Sequence, residues 1–307
     1  MKVLIATDKP FAKVAVEGIR KVVEDGGHTL SLLEKYTEKS QLLAAVSDVN
    51  AIIIRSDIID SEVFAAAKDL KIVVRAGAGY DNVDLAAATQ VGVCVMNTPG
   101  QNANAVAELA LGMMVYAFRN LFNGTSGAEL MGKKLGIHAY GNVGRNVARI
   151  AKGFGMEVFA YDPYCRSEDI EKDGVTPICS INELYETCQV VSLHIPATPE
   201  TKNSINYELL TKMPQGALLL NTARKEVVCE DDLVKVFEAR PDFKYISDIE
   251  PGNKAELTEK FANRYYATPK KMGAQTAEAN INAGLAAAKQ IVSFFATGNE
   301  MFRVNKK

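Results

Sequence analysis

The chain has 307 residues, 48% of them hydrophobic and 23% charged, and 35 basic against 37 acidic side chains leave a net charge of −2. That length suggests two domains, and a chain this long with ordinary globular composition can bury a large core, which excludes disorder as the main state. The near-neutral balance argues against a dedicated nucleic-acid binder or a polybasic membrane protein, while leaving small anionic ligands open.

The first third alternates short apolar runs with helical patterns. Strands are expected at 3–7, 29–33, 51–55, 72–76 and 93–97, with helices at 12–25, 39–46, 61–70 and 85–90 between them. Such alternation argues for a parallel sheet with helices on both faces. Pro99-Gly100 marks a boundary, and a long apolar helix is expected over 103–122. Its most apolar stretch, 105–118, includes Glu108 and is too short to span a bilayer. The N-terminus turns polar at Asp8 and Lys9, too early for a signal-peptide core. After Gly132 the alternation restarts. Strands are expected at 134–140, 157–161, 190–195, 217–221, 244–249 and 265–267, with helices at 141–153, 181–187, 206–212 and 230–239 and a last one over 277–296. Five cysteines without Cys-x-x-Cys spacing, and only three histidines, give a zinc cluster little to work with. They read as reduced thiols of a cytoplasmic protein.

The second unit opens with Leu135-Gly136-Ile137-His138-Ala139-Tyr140-Gly141-Asn142-Val143-Gly144-Arg145. This is a strand, a glycine turn and a helix start, the Gly-x-Gly-x-x-Gly dinucleotide fingerprint with Ala139 at its first glycine. Gly141 lets a pyrophosphate approach the free N–H groups of the helix N-terminus. Gly144 permits close packing of helix on strand. The next expected strand ends at Asp162, 21 residues after Gly141. An acid at this spacing accepts hydrogen bonds from the adenosine ribose and repels the 2′-phosphate of NADP, so NAD is the expected cofactor. Arg166, four residues on, is the competing feature that could accommodate that phosphate.

Four further stretches follow a fixed order: Arg75-Ala76-Gly77-Ala78-Gly79-Tyr80-Asp81-Asn82-Val83-Asp84, Asn97-Thr98-Pro99-Gly100-Gln101-Asn102-Ala103-Asn104-Ala105-Val106-Ala107-Glu108, Leu220-Asn221-Thr222-Ala223-Arg224 and Gly273-Ala274-Gln275-Thr276-Ala277-Glu278. In that order they resemble the substrate loop, interdomain crossover, arginine strand and post-acid/base turn of the D-2-hydroxyacid dehydrogenases, and more closely of the D-3-phosphoglycerate dehydrogenases. The resemblance implies an oxidoreductase of the α/β class with two doubly wound parallel-sheet domains. These would be a flavodoxin-like substrate domain at 1–97 plus 279–307 and a Rossmann NAD-binding domain at 98–278, with the active site in the cleft between them. It implies a homodimer through the nucleotide domain, with the 103–122 helix as the contact. It also implies cofactor contacts from Gly141, Asn142, Val143, Gly144, Asp162, His194, Pro196, Thr201, Thr222, Ala223, Asp248, Gly273 and Ala274. Substrate contacts would come from Arg55, Ser56, Arg75, Ala76, Gly77 and Asn102.

Hydride transfer between C2 of a 2-hydroxy acid and nicotinamide leaves the protein to orient the substrate, polarise it and move one proton. Arg224, at the end of the apolar run 217–221, suits a rigid bidentate contact to the carboxylate. The family's usual glycine after it is Lys225 here. N–H groups of 75–79 offer an anion nest for the same carboxylate. The family's usual acid/base histidine is absent. Counting back from Gly273 puts Lys271 at its place, and counting forward from Thr268-Pro269 puts Lys270 there. Lys271 is preferred because the following turn and helix fix its spacing, and a subgroup of phosphoglycerate dehydrogenases is similar in using lysine. Glu250, just after Asp248, is the candidate carboxylate partner, with Glu256 as an alternative. A lysine working near neutral pH needs its pKa lowered, so a close carboxylate would act against it. His194 is expected against the cofactor, and His28 and His138 are expected to be structural.

Arg55-Ser56 and Arg75 end strands where the phosphoglycerate enzymes hold the substrate phosphate, and a phosphate dianion calls for charge-assisted donors. The expected reaction is NAD-dependent oxidation of 3-phospho-D-glycerate to 3-phosphohydroxypyruvate, the first step of phosphorylated serine biosynthesis. A dehydrogenase for an unphosphorylated acid such as glycerate, glyoxylate or lactate is the alternative, and an NAD(H)-sensing corepressor a more remote one. With the sequence stopping at Lys307, inhibition by serine through a separate regulatory domain is not expected.

Overall fold

The computed structural model describes residues 1–306. They form two compact units, Met1–Asn102 with the segment from Thr276 onward, and Ala103–Gln275.

The first unit runs β1 (Lys2–Thr7), α1 (Lys13–Asp25), β2 (Thr29–Glu34), α2 (Lys39–Ala45), β3 (Ala51–Ile54), α3 (Ser61–Ala66), β4 (Ile72–Arg75), α4 (Leu85–Gln90) and β5 (Cys94–Asn97). Its sheet is parallel in the order β2-β1-β3-β4-β5. That is the flavodoxin-like order, with its topological switch between β1 and β3. Ala51–Ile54 and Ile72–Val74 are buried throughout, as expected of parallel strands covered on both faces. One face carries Leu42, Val63, Phe64 and Ala88 from α2, α3 and α4. The other carries Ala15, Ile19 and Val23 of α1, together with Ala283, Ala287 and Ile291 of the C-terminal helix at Ala277–Thr297. Asp60 and Asp84 cap α3 and α4 by accepting Val63 N–H and Ala87 N–H. The expected 61–70 helix ends early. Ala67 leaves the helical region at ψ 69°, and Leu70 is buried beyond it.

The second unit runs α5 (Ala103–Phe118), β6 (Lys134–His138), α6 (Asn142–Gly153), β7 (Glu157–Tyr161), α7 (Ser167–Glu171), β8 (Thr176–Pro177), α8 (Ile181–Thr187), β9 (Val190–Leu193), α9 (Tyr207–Thr211), β10 (Leu218–Asn221), α10 (Glu230–Ala239), β11 (Lys244–Ser247), α11 (Lys254–Phe261) and β12 (Tyr265–Ala267). The C-terminal helix of the first unit is thus α12. The sheet is parallel in the order β12-β11-β10-β9-β6-β7-β8, a Rossmann arrangement that reverses between β6 and β9. Ala107, Ala110, Leu111 and Met114 of α5 share one core with Val147, Ala148 and Ala151 of α6. The opposite face is built from α8, α9, α10 and α11.

The expected 103–122 helix stops at Phe118. Asn120, Leu121 and Phe122 turn left-handed at φ 51°, 54° and 56°. The chain then doubles back, so that Ala128 N–H caps the Phe118 carbonyl at 2.8 Å. Gly127 makes this close return feasible, since a Cβ there would lie 2.4 Å from the same carbonyl oxygen. Among the described residues no helix is long and apolar enough to cross a membrane.

Candidate active site

The nucleotide end of the second unit forms at the C-terminal ends of β6 and β7, beside the topological switch. Gly141 caps α6, and a Cβ added there would meet nothing within 4 Å. The open space in front of a free helix N-terminus suits an anionic group. Gly144 has the opposite surroundings, because a Cβ there would lie 2.4 Å from the Ala139 carbonyl oxygen. Ala139, at the fingerprint's first glycine, sits at φ 81°, a conformation that glycine adopts without penalty and alanine does not. Asp162 Oδ2 accepts from Tyr140 N–H at 2.8 Å and Oδ1 from Tyr164 N–H at 2.8 Å.

A cavity of about 560 Å³ opens here, lined among others by Ala139, Asp162, Tyr164, Ile195, Pro196 and Thr201. Thr201 braces its wall by donating to the Pro196 carbonyl at 2.6 Å and accepting from Thr198 N–H at 2.8 Å. An open helix N-terminus, a strand-end carboxylate and a cavity of this size fit a dinucleotide. Asn142 and Val143 form the first turn of α6 next to it. Arg166 is exposed and paired with Asp169 at 3.0 and 3.2 Å. It does not line the cavity.

His194 follows β9, with Nε2 3.0 Å from Ser192 Oγ and Nδ1 3.4 Å from Thr222 Oγ1. Burial, reinforced by His138, pushes its pKa down to about 3. Burial likewise pushes that of His138 down to about 4. Both rings are therefore neutral at physiological pH.

The chemical end of the unit lies past β10 and β11. Asn221, fully buried, closes a turn on itself: Oδ1 accepts from Ala223 N–H and Nδ2 donates to the Arg224 carbonyl, each at 2.9 Å. This presents the Ala223 carbonyl to two cations. Lys271 Nζ donates to it at 2.9 Å and Arg224 Nη1 at 3.0 Å. Burial first, and then the Arg224 charge, push the Lys271 pKa down to about 8, with Asp248 and Glu226 pulling the other way. Lys270 is exposed.

Asp248 is almost completely buried. Its Oδ1 accepts from Thr268 Oγ1 at 3.0 Å and Met272 N–H at 2.8 Å, and its Oδ2 from Gly273 N–H at 2.7 Å. A Cβ on Gly273 would lie 2.9 Å from Oδ2. The loop carrying Lys271 and Ala274 is thus clamped by one carboxylate. Glu250 pairs with Lys254, and Glu256 with Lys260 at 2.7 Å. The carboxylates that act on Lys271 are Asp248 and Glu226. Glu226 lies on the short 3₁₀ turn Lys225–Val227 and carried no signal in the sequence.

In the first unit, Arg55 follows β3 at the switch point. Its guanidinium donates to the carbonyls of Lys9 at 2.9 Å and Pro10 at 3.2 Å and to Asn280 Oδ1 at 2.6 Å, and it lies 5.2 Å above the Phe11 ring centre. Arg75 Nε donates to the Arg55 carbonyl at 3.0 Å. Gly77 has φ 150°, and a Cβ there would fall 1.5 Å from Arg75 Nη1. Arg55, Arg75, Ala76 and Gly77 are thereby gathered at neighbouring strand ends. Ser56 is exposed beside them, and Asn102 is half-buried at the end of the unit's first segment.

Residues 103–269 match the D-isomer specific 2-hydroxyacid dehydrogenase NAD-binding domain. A hydroxypyruvate reductase of Thermotoga maritima is 34% identical over 284 residues, 85% of this chain and 90% of that protein. A D-3-phosphoglycerate dehydrogenase of Methanocaldococcus jannaschii is 34% identical over 270 residues, 82% of this chain and 51% of the relative. The chain thus spans about half the length of that phosphoglycerate dehydrogenase. An NAD⁺-bound 3-phosphoglycerate dehydrogenase of Entamoeba histolytica is 47% identical with a TM-score of 0.87, covering 100% of this chain and 99% of that one. A parallel nucleotide-binding sheet, its fingerprint turn and these matches lead to one conclusion: the chain belongs to the D-isomer specific 2-hydroxyacid dehydrogenases and carries their NAD-binding domain.

Proposed function

We propose that the chain oxidises 3-phospho-D-glycerate to 3-phosphohydroxypyruvate with NAD, feeding serine biosynthesis, and that it works as a cytoplasmic homodimer. When bound, NAD takes the hydride from C2 of the hydroxy acid. Arg224 holds the substrate carboxylate with a planar donor pair. Lys271, as the neutral amine, takes the hydroxyl proton during oxidation and, as the ammonium, returns it during reduction. With a pKa of about 8, about a tenth of Lys271 is neutral at pH 7, against far less than a hundredth for an unperturbed lysine. Arg55 and Arg75 hold the phosphate. An apolar groove of Val115, Leu130, Met131 and Phe154 supports the dimer, and five free cysteines support the reducing compartment.

The observation that carries the substrate reading is the pair of arginines at neighbouring strand ends, the Arg75 guanidinium donating to the Arg55 backbone carbonyl. One observation favours a second reading. The Arg55 guanidinium already donates to Lys9, Pro10 and Asn280. That suits an unphosphorylated oxo acid, in line with the name of the Thermotoga maritima relative. Initial rates with NADH and a panel of 3-phosphohydroxypyruvate, hydroxypyruvate, glyoxylate and pyruvate decide between them. A kcat/KM for the phosphorylated acid about tenfold or more above the others is expected, and the reverse order establishes the second reading.

A further inference from the structure

Asn221 ends β10, which lies between β9 and β11, and it is fully buried. The sheet fixes its backbone, whose carbonyl accepts from Asp248 N–H at 2.9 Å and Ser247 Oγ at 3.3 Å. Its side chain turns back on the residues that follow. Oδ1 accepts from Ala223 N–H and Nδ2 donates to the Arg224 carbonyl, each at 2.9 Å. Nδ2 also lies 3.4 Å from the hydroxyl of Tyr245. Tyr245 is buried as well and stacks on Tyr265, centroid to centroid 6.2 Å. An asparagine that closes a turn on its own backbone is ordinary; what this one encloses is not. The two groups it grips belong to the peptide units just before and just after the Ala223 carbonyl. One buried amide therefore sets the direction of that carbonyl.

A carbonyl oxygen has two lone pairs. Here both serve cations, Lys271 Nζ at 2.9 Å and Arg224 Nη1 at 3.0 Å. The two nitrogens can be no farther apart than those two bonds laid end to end, although their charges repel. We propose that Asn221 is a positioning residue for proton transfer, keeping Lys271 and Arg224 side by side through the Ala223 carbonyl. Asn221 itself touches neither substrate nor cofactor in this role. The role rests on the assignment of proton transfer to Lys271 and of the substrate carboxylate to Arg224. The charged groups that act on Lys271 are Arg224, which lowers its pKa, and Asp248 and Glu226, which raise it. Lys270, next to it, is exposed. A released Ala223 carbonyl frees Arg224 to move away, while Asp248 stays clamped on Met272 and Gly273. The lysine then keeps its proton to higher pH.

The test is the pH dependence of oxidation at saturating NAD for the wild type, Asn221→Ala, Asn221→Ser and Lys271→Ala, with the hydroxy acid that the wild type turns over fastest. Asn221→Ala should lower kcat at pH 7 by about tenfold or more. It should also move the rise of rate with pH upward by about half a unit, the effect of withdrawing a like charge from about 6 Å in a watery surrounding. Asn221→Ser, whose hydroxyl can still accept from Ala223 N–H, should fall between the two and replaces the alanine variant if that one does not fold. A rise at the wild-type pH in the Asn221 variants overturns the proposal whatever the loss of rate, because a merely structural defect lowers the rate at every pH alike. A wild-type rate in Asn221→Ala overturns it too. Lys271→Ala that keeps both rate and rise removes the lysine assignment itself, and a wild type that oxidises no hydroxy acid removes the reaction. Both are told apart from a failure of Asn221, since neither involves an Asn221 variant.

Discussion

Each unit places a glycine turn just past a strand, Gly77 after β4 and Gly141 after β6. The turns look alike in sequence and are glycine for different reasons. Gly77 stands at φ 150° with the Arg75 guanidinium where its Cβ would be, so any other residue there would strain the backbone and displace that side chain. Gly141 has φ −82°, within reach of any residue, and open space around its missing Cβ. No protein atom requires glycine there. The charges follow the same division. Arg55 and Arg75 are tied into the first unit by hydrogen bonds to its backbone, whereas Lys271 and Arg224 converge on a single carbonyl, that of Ala223. The first unit fills its own space with cations, and the second keeps open space in front of Gly141.

The largest effect should come from the second unit. Lys271→Ala should lower kcat by about 10²–10⁴ in both directions, with NADH affinity by direct titration largely kept. Lys270→Ala, at an exposed position, should be milder. If Lys270→Ala were the more damaging, the proton would not be held where the second unit converges. In the first unit, Arg55→Ala should raise KM for 3-phosphohydroxypyruvate about tenfold to a hundredfold and disturb hydroxypyruvate much less. Equal damage to both would show that Arg55 serves only the architecture of its unit. The glycine contrast is sharpened by a pair of variants. Gly77→Ala should cost about 1–3 kcal/mol of stability through strain and the displaced guanidinium, seen in denaturant unfolding. Gly141→Ala should unfold as the wild type does and lose NADH affinity. The smallest effect concerns pH. Oxidation needs the neutral amine, so its rate should climb through pH 8, while reduction should stay level below that and fall above it. Glu226 raises the Lys271 pKa, so Glu226→Gln should move the oxidative rise to lower pH. An unmoved or upward-moved limb would exclude that coupling.

Both parallel sheets were legible in the sequence because buried parallel strands are apolar on both faces and so announce themselves without periodicity. What escaped was short or closed by geometry at a distance. α7, β8 and α11 are brief and polar on one side. The end of α5 is set by Ala128 and Gly127 returning to the Phe118 carbonyl, which nothing in residues 118–122 reveals. The fingerprint turn was readable even with Ala139 in place of glycine, and the structure adds the left-handed conformation that this alanine must bear. Adjacent lysines could not be separated by counting along a loop. The clamp of Asp248 on Met272 and Gly273 aims Lys271 inward and leaves Lys270 in solvent. The glutamates expected beside that lysine, Glu250 and Glu256, instead pair with the local lysines Lys254 and Lys260. The carboxylates that reach Lys271 are Asp248 and then Glu226, the latter on the neighbouring 3₁₀ turn.

The lowered basicity of Lys271 also sets how the protein meets electrophiles. Lys21, Lys39, Lys172, Lys235 and Lys260 have carboxylates beside them that raise their pKa and stay protonated at pH 8. Lys271, with a pKa of about 8, is about half free amine there. Acylating agents, or an aldehyde followed by borohydride, should therefore modify Lys271 ahead of those surface lysines.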